Sequence, residues 1–200
     1  EKPSGLSQYS GLASMAGISL PKSGVTSVYE VMELIKSREF VKHLITFENV
    51  LPSILAAKSY DTALQELYFD PNIYDVKTKT WTRKSLKNQG IEPSYLEAHK
   101  AYIDMLSISQ NKQTGLISIM IEHVSPIFAK DFLTLIIKEA NTLNRETDID
   151  DSSKALSYLK TELSQTSLVE IKRSINQLIE AQLETRMIAS IHDEYSLISL

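Results

Sequence analysis

The sequence predicts an α+β protein, in which a small mixed base domain with a short β-sheet carries a long protruding arm, an antiparallel helical hairpin. Two observations lead to this fold class. Residues 117–122 read Ile-Ser-Ile-Met-Ile-Glu and are apolar at every second position, which is the pattern of a strand with one buried face. Residues 127–200 contain neither Gly nor Pro, the two strong helix breakers.

The predicted base comprises residues 1–125 together with 193–200, and the predicted arm comprises 126–192. The chain has 200 residues, of which 42% are hydrophobic and 23% are charged, as in ordinary globular proteins. It has no cysteine, which excludes disulfides, thiolate catalysis and thiolate metal sites. Its net charge of −4 gives no electrostatic reason to expect a nucleic-acid partner.

Two capping-box spacings predict helices in the base. Ser27 precedes Glu30 by three residues, and Ser94 precedes Glu97 by three, so each serine is expected to begin a helix. The second of these helices is expected to end near Met105. Between them we expect short helical pieces over 37–47 and around Pro52, followed by strand- and loop-forming residues from 67 to 84 that are interrupted at Asp-Pro-Asn.

A β-hairpin is predicted next. The strand beginning at Leu106 and the strand over 117–121 flank a polar turn at 111–115. The last six residues, 195–200, could supply a further strand.

The arm is predicted to begin at Pro126, the N1 position after the N-cap Ser125. Its first helix should run to about residue 164, and its second from about 168 to 192, with the turn in Ser-Gln-Thr-Ser. Apolar residues recur along the first helix, the later ones being Ile149, Leu156, Leu159 and Leu163. The 3-4-3 spacing of a second run predicts the seam of a helix pair: Leu168, Ile171, Ile175 and Leu178. The alternative is a break in the first helix at 147–153, where Asp and Ser could cap a new helix.

A search for chemistry yields no catalytic, cofactor-binding or metal-binding residues, so we expect a protein that is not an enzyme. The four histidines are far apart in sequence, whereas metal sites need several convergent ligands. The acidic run at Asp148 superficially resembles the start of a calcium loop. Ser153 and Leu159 stand where that loop needs Gly and Glu.

A basic cluster around an aromatic pair offers the one candidate contact surface for a ligand. Lys77, Lys79, Trp81 and Arg83 could contact an anionic glycan, phosphate or lipid head group, with the tryptophan as a stacking face. The alternative is a polar hairpin that Trp81 anchors to the core, and this interpretation is the one we favour.

Five segments resemble, in the right order, the chain-length determinant family, the Wzz-type polysaccharide co-polymerases of bacterial inner membranes. The segments are GLASMAGISL (11–20), LIKSREFVKHLI (34–45), IYDVKTKTWTRK (73–84), TGLISIMIEHVSPIFAKDFLTLII (114–137) and LIEAQLETRMIASIHDEYSLISL (178–200). They are similar to that family's small-residue motif, its serine-arginine helix, its Tyr-Asp then Trp pattern, its strand before the long helix, and the end of its helical region.

The resemblance implies a non-catalytic regulator that sets the length of O-antigen or a related surface polysaccharide. It implies a homo-oligomeric ring at the inner membrane, with this region facing the periplasm, acting on a membrane polymerase that extends a lipid-linked glycan. Members of the family have a membrane span at each end, and the chain has no run of 18 apolar residues. We therefore expect a periplasmic fragment.

The small residues near the start have two interpretations. Gly11, Leu12, Ala13 and Gly17 are candidate subunit-interface residues, because small side chains let neighbouring backbones approach closely. Alternatively the segment is a leader.

Two other functional classes remain open. The chain could be the periplasmic part of a co-polymerase linked to a tyrosine kinase, or a helical-hairpin adaptor that binds a partner helix.

Overall fold

A computed structural model describes residues 28–84, 91–111, 113–114, 116–191 and 197 of the chain. Over these residues it has helices α1 (Val28–Lys36), α2 (Arg38–Leu44), α3 (Val50–Ala56), α4 (Tyr95–Met105), α5 (Pro126–Gln165) and α6 (Val169–Ile191). Its strands are β1 (Ala57–Asp61), β2 (Glu66–Phe69), β3 (Tyr74–Asp75), β4 (Thr80–Trp81), β5 (Leu106–Gln110) and β6 (Ile117–Ile121). The α+β class with a helical hairpin is confirmed.

The helix starts follow from local capping. Ser94 caps α4 with both bonds of the capping box, since its hydroxyl accepts from the Glu97 N–H and the Glu97 carboxylate accepts from the Ser94 N–H. Ser37 caps α2 by accepting from the Phe40 N–H at 3.1 Å. Ser27, the predicted cap of α1, lies outside the described residues.

The strands form three separate two-stranded antiparallel ladders, β1–β2, β3–β4 and β5–β6, where the sequence predicted one short sheet. Strand β1 was not predicted, because Ala57, Lys58 and Ser59 have little β-propensity. It pairs with β2 through a bulge at Lys58. The predicted strand at 195–200 lies outside the described residues, apart from Leu197.

The β5–β6 hairpin confirms the alternating pattern. Leu106 pairs with Ile121, Ile108 with Ile119, and Gln110 with Ile117, and these residues share the half-buried face. The Asn111 side-chain oxygen accepts from the backbone N–H groups of residues 113 and 114, which holds the turn.

The chain divides into two compact units, Val28–Ala140 and a second that includes Asn141–Leu200. The predicted division into a base of 1–125 with 193–200 and an arm of 126–192 stays a prediction. The first unit has an apolar core drawn from α1 to α5 and β3, with Phe40, Tyr102 and Phe132 as its largest fully buried rings.

The second unit contains α6 and the part of α5 from Asn141 onward, which together form the helical hairpin. Helix α5 continues through 147–153 without interruption, so the alternative of a break there is wrong. A three-residue connection at 166–168 leads into α6. Leu159, Ile175 and Leu178 form the buried seam, with Leu163 and Ile179 packed against it.

Two predicted seam residues do not lie in the seam. Leu168 is 61% exposed and Ile171 is 39% exposed. Leu168 belongs to the connection rather than to α6, and Ile171 lies in the first turn of α6. The seam therefore begins one turn later than the sequence pattern indicated.

Candidate functional site

The basic cluster lies on a small hairpin built by β3 and β4. Asp70 begins it, since its carboxylate accepts from the Asn72 N–H at 2.9 Å and from the Asn72 side-chain amide at 3.0 Å. The Thr82 N–H donates to the Ile73 carbonyl at 2.9 Å and closes the hairpin. The hydrogen bond from Asn72 holds the pKa of Asp70 below its usual value.

Trp81 packs onto the core side of this hairpin. It is the cross-strand partner of Tyr74, and the two ring centroids are 5.0 Å apart at 58°. Tyr74 is buried and packs in turn against Phe69 at 5.9 Å. Trp81 thus joins a chain of three aromatic rings, and packing of this kind stabilises a small hairpin that has few backbone hydrogen bonds of its own.

Arg83 is fully engaged in structural contacts. Its guanidinium makes a bidentate pair with Glu97, at 2.7 and 3.1 Å, and donates to the backbone carbonyls of Ile91 at 2.7 Å and Glu92 at 3.0 Å. Both side chains of the pair are mostly buried. The hydrogen bonds from Arg83 and from the Ser94 N–H lower the pKa of Glu97 to about 2. Arg83 therefore ties the end of the hairpin to the start of α4.

The two lysines lie in the turn of the hairpin. Lys79 donates to the Glu48 carboxylate at 2.8 Å, and this exposed pair raises the pKa of Lys79 and lowers that of Glu48. Lys79 also has a positive φ of 52°, which the turn requires. The side chain of Lys77 is exposed, and its backbone N–H donates to the Asp75 carboxylate at 2.9 Å. The role of these residues in glycan contact stays a prediction.

The histidines of the first unit serve as links between elements. The imidazole of His99 donates to the Lys36 carbonyl at 2.9 Å, at the end of α1, and that of His123 donates to the Ser53 carbonyl at 3.0 Å, in α3. His43 contacts the buried Glu139 carboxylate at 2.7 Å. His192 lies outside the described residues. Over the residues that the structure describes, no group of three or more His, Asp or Glu side chains could hold a metal ion.

Helix α6 exposes a stripe of apolar residues that the sequence analysis did not identify. Leu183 is 49% exposed, Met187 is 56% exposed and Ile191 is 66% exposed. Their spacing of four residues places them along one side of the helix. That spacing was visible in the sequence, but it is equally typical of a buried seam, and only the exposure separates the two.

The candidate interface residues Gly11, Leu12, Ala13 and Gly17 lie outside the described residues. None of the helices in the described part of the chain is both long and apolar enough to cross a bilayer.

The chain matches no protein-family model, no curated protein and no solved structure. The resemblance to the chain-length determinant family thus rests on the quoted segments alone.

Proposed function

We propose that this protein is a non-catalytic regulator of the chain length of a surface polysaccharide, O-antigen or a related glycan. It acts as an oligomeric scaffold beside a membrane polymerase, in the periplasm and anchored to the inner membrane. The resemblance supplies the identity of the polymer. The order of elements along the chain supports the proposed scaffold role, because an α+β unit is followed directly by a helical hairpin.

The observation that carries the proposal is where the conspicuous residues of the resembling segments lie. Ser37 caps α2, Tyr74 and Trp81 pack against each other across β3–β4, and Arg83 pairs with Glu97 in the first turn of α4. Each of these side chains makes a contact that builds the fold. Side chains with such structural roles support a scaffold function. In a scaffold, the segments that resemble the family would share its architecture.

The apolar stripe of α6, formed by Leu183, Met187 and Ile191, supports assembly. Exposed apolar residues scattered singly need no explanation, but a continuous row along one helix fits a contact with another helix. In the proposed ring that helix belongs to a neighbouring copy. The adaptor interpretation uses the same stripe with a different protein as partner.

The experiment is to delete the gene in its own host and to display the surface polysaccharide on a gel. Loss of a preferred chain length, with polymer still made, is the expected result, because another protein performs the polymerisation. An unchanged ladder would contradict the proposal and leave the adaptor class. Complete loss of polymer would contradict the non-catalytic role.

A matched pair of variants then tests the stripe. Met187→Glu places a charge in the middle of the stripe, whereas Gln177→Glu places the same charge at an exposed position outside the stripe, about three turns before Met187 along α6. In the deleted host carrying each full-length variant, Met187→Glu is expected to reduce cross-linking between copies and to broaden the length distribution. Gln177→Glu is expected to restore the normal ladder. Equal behaviour of the two variants would exclude the stripe as the contact between copies.

A further inference from the structure

Asn141 makes an unusual pair of hydrogen bonds with the main chain of a residue 56 positions later. Its side-chain Nδ2 donates to the Leu197 carbonyl at 2.8 Å, and the Leu197 N–H donates to its Oδ1 at 2.8 Å. Both residues are buried, with Asn141 only 4% exposed and Leu197 9% exposed. Both lie in the same compact unit.

A side-chain amide carries the same donor and acceptor as a peptide group. In an antiparallel ladder, two facing residues exchange both of their N–H to carbonyl bonds. The N–H and carbonyl of one residue can both reach a single partner in this way only when that residue is extended. Asn141 therefore occupies the place that a residue of a neighbouring strand would take beside Leu197.

We propose that Asn141 is a main-chain clamp, a one-residue substitute for a β-strand carried on a helix. It holds the main chain at Leu197 extended and at one register beside α5. The clamp recognises the backbone at position 197 and does not depend on the identity of the side chain there, as long as that side chain is apolar and of similar size. Its two bonds are buried, so water cannot readily replace them when they break.

The chemistry of the amide makes the clamp specific to asparagine. Leucine at position 141 has a similar shape but neither a donor nor an acceptor. Ionised aspartate keeps an acceptor for the Leu197 N–H but turns a second oxygen toward the Leu197 carbonyl, where the donor was. Protonated aspartate again has one donor and one acceptor.

Amide hydrogen exchange at Leu197, measured by NMR on the full chain as a protection factor, tests the clamp. In Asn141→Leu we expect protection at this amide to fall by about tenfold to a hundredfold, the loss of two ordinary hydrogen bonds. In Asn141→Asp, protection is expected to be low at neutral pH and to return as the pH falls through the carboxyl pKa, which burial places above the ordinary value of about 4. Protonation of a buried carboxylate relieves the general cost of burying a charge as well, so the recovery supports the clamp only where it is larger at residue 197 than at residue 159.

Three comparisons make the result decisive. Asn176→Leu and Asn176→Asp repeat the same changes at an exposed position of α6 and should leave Leu197 protected. Leu197→Met, a change that conserves volume, should also keep its protection. If Leu197→Met lost as much amide protection at residue 197 as Asn141→Leu, the clamp would be wrong, because the contact would then depend on the side chain of residue 197.

The amide of Leu159 in the hairpin seam reports general destabilisation. The clamp predicts that Asn141→Leu lowers protection at residue 197 far more than at residue 159. An equal loss at both positions, or no loss at residue 197, would overturn the proposal.

Discussion

The two compact units bury different kinds of side chain. In Val28–Ala140 the core combines aliphatic side chains with buried aromatic rings: Tyr102 and Phe132 meet edge to face at 6.0 Å, and Phe132 stacks on Phe128 at 5.2 Å. In the hairpin the buried apolar residues are aliphatic, and over its described residues no aromatic side chain is buried. Polar residues, Ser152 and Gln182 among them, are buried there as well.

The polar contacts of the two units also differ, in the sequence separation between the bonded residues. In the first unit His43 and Glu139 are joined across 96 positions. In the hairpin many side-chain bonds are local, such as those from Thr147, Ser153 and Thr185 to the carbonyl four residues earlier. The first unit is therefore held by contacts between distant elements. The described part of the hairpin is held mainly by the backbone hydrogen bonds within its helices and by a narrow seam, with the Asn141–Leu197 pair as a long-range contact.

The largest effect is expected from Phe132→Ala. The ring is 2% exposed and lies between two other rings, so its removal leaves a cavity that the core cannot close. We expect a loss of about 3–5 kcal/mol in the free energy of unfolding, measured by urea denaturation of the full chain. Tyr158→Ala, at a ring that is 43% exposed, is the control and should change the free energy by less than about 0.5 kcal/mol.

Leu159→Ala tests the seam and is expected to cost less, about 2–3 kcal/mol, because a narrow seam between two helices can partly close around the missing side chain. The same denaturation measurement applies, with Leu183→Ala at the exposed stripe as control. A cost equal to or above that of Phe132→Ala would show that the seam is packed as tightly as the aromatic core, against the comparison drawn here.

Glu97→Gln tests the polar contacts between distant elements in the first unit. It is expected to lower the free energy of unfolding by about 1–3 kcal/mol at neutral pH, the value of hydrogen bonds to a charged group. The glutamine can still cap α4 but cannot pair with the charge of Arg83. Exposed Glu180→Gln is the control.

The same variant predicts a pH dependence. The carboxyl has a pKa of about 2 when folded and about 4.5 as a free side chain, so its contribution is present above pH 4.5 and is lost as the pH falls toward 2. The difference in stability between the wild type and Glu97→Gln should therefore shrink over that interval. A constant difference would show that the charge of Glu97 is not what stabilises the contact.

Tyr102→Phe is expected to have the smallest effect, about 1 kcal/mol. Its hydroxyl donates to the Ile35 carbonyl at 3.1 Å, near the C-terminus of α1, and burial raises its pKa so that it stays a neutral donor. The variant keeps the ring and leaves that carbonyl without this partner. Tyr158→Phe, at an exposed hydroxyl, should be neutral in thermal unfolding. Equal effects would mean that the buried bond contributes nothing.

Local signals predicted much of the fold. The capping box at Ser94, the alternation in β6 and the absence of Gly and Pro after residue 126 each act within a few residues of where they stand. Such signals need no tertiary information. Strand β1 was missed because its pairing with β2 through a bulge, and not its own composition, makes it a strand.

The candidate site was less predictable, because its contacts, like the pairing of β1, depend on partners elsewhere in the chain. The sequence showed that Arg83 is a cation beside Trp81, but not that Glu97 and two carbonyls occupy its guanidinium. The apolar run at Leu168 and Ile171 predicted a seam that starts one turn too early, because the position of the connection decides which turn can pack. The clamp at Asn141 depends on a partner 56 residues away and had no signal in the sequence.

The imidazole contacts of α1 and α3 have a consequence for the order of folding. These helices have nine and seven residues, too few to persist alone in water. The carbonyl of Lys36 is bonded by a side chain 63 positions later, and that of Ser53 by one 70 positions later. During synthesis neither helix has these partners until His99 and His123 have been added to the chain. Helices α1 and α3 should therefore be among the late helices to become stable, because their stability depends on the closure of long loops.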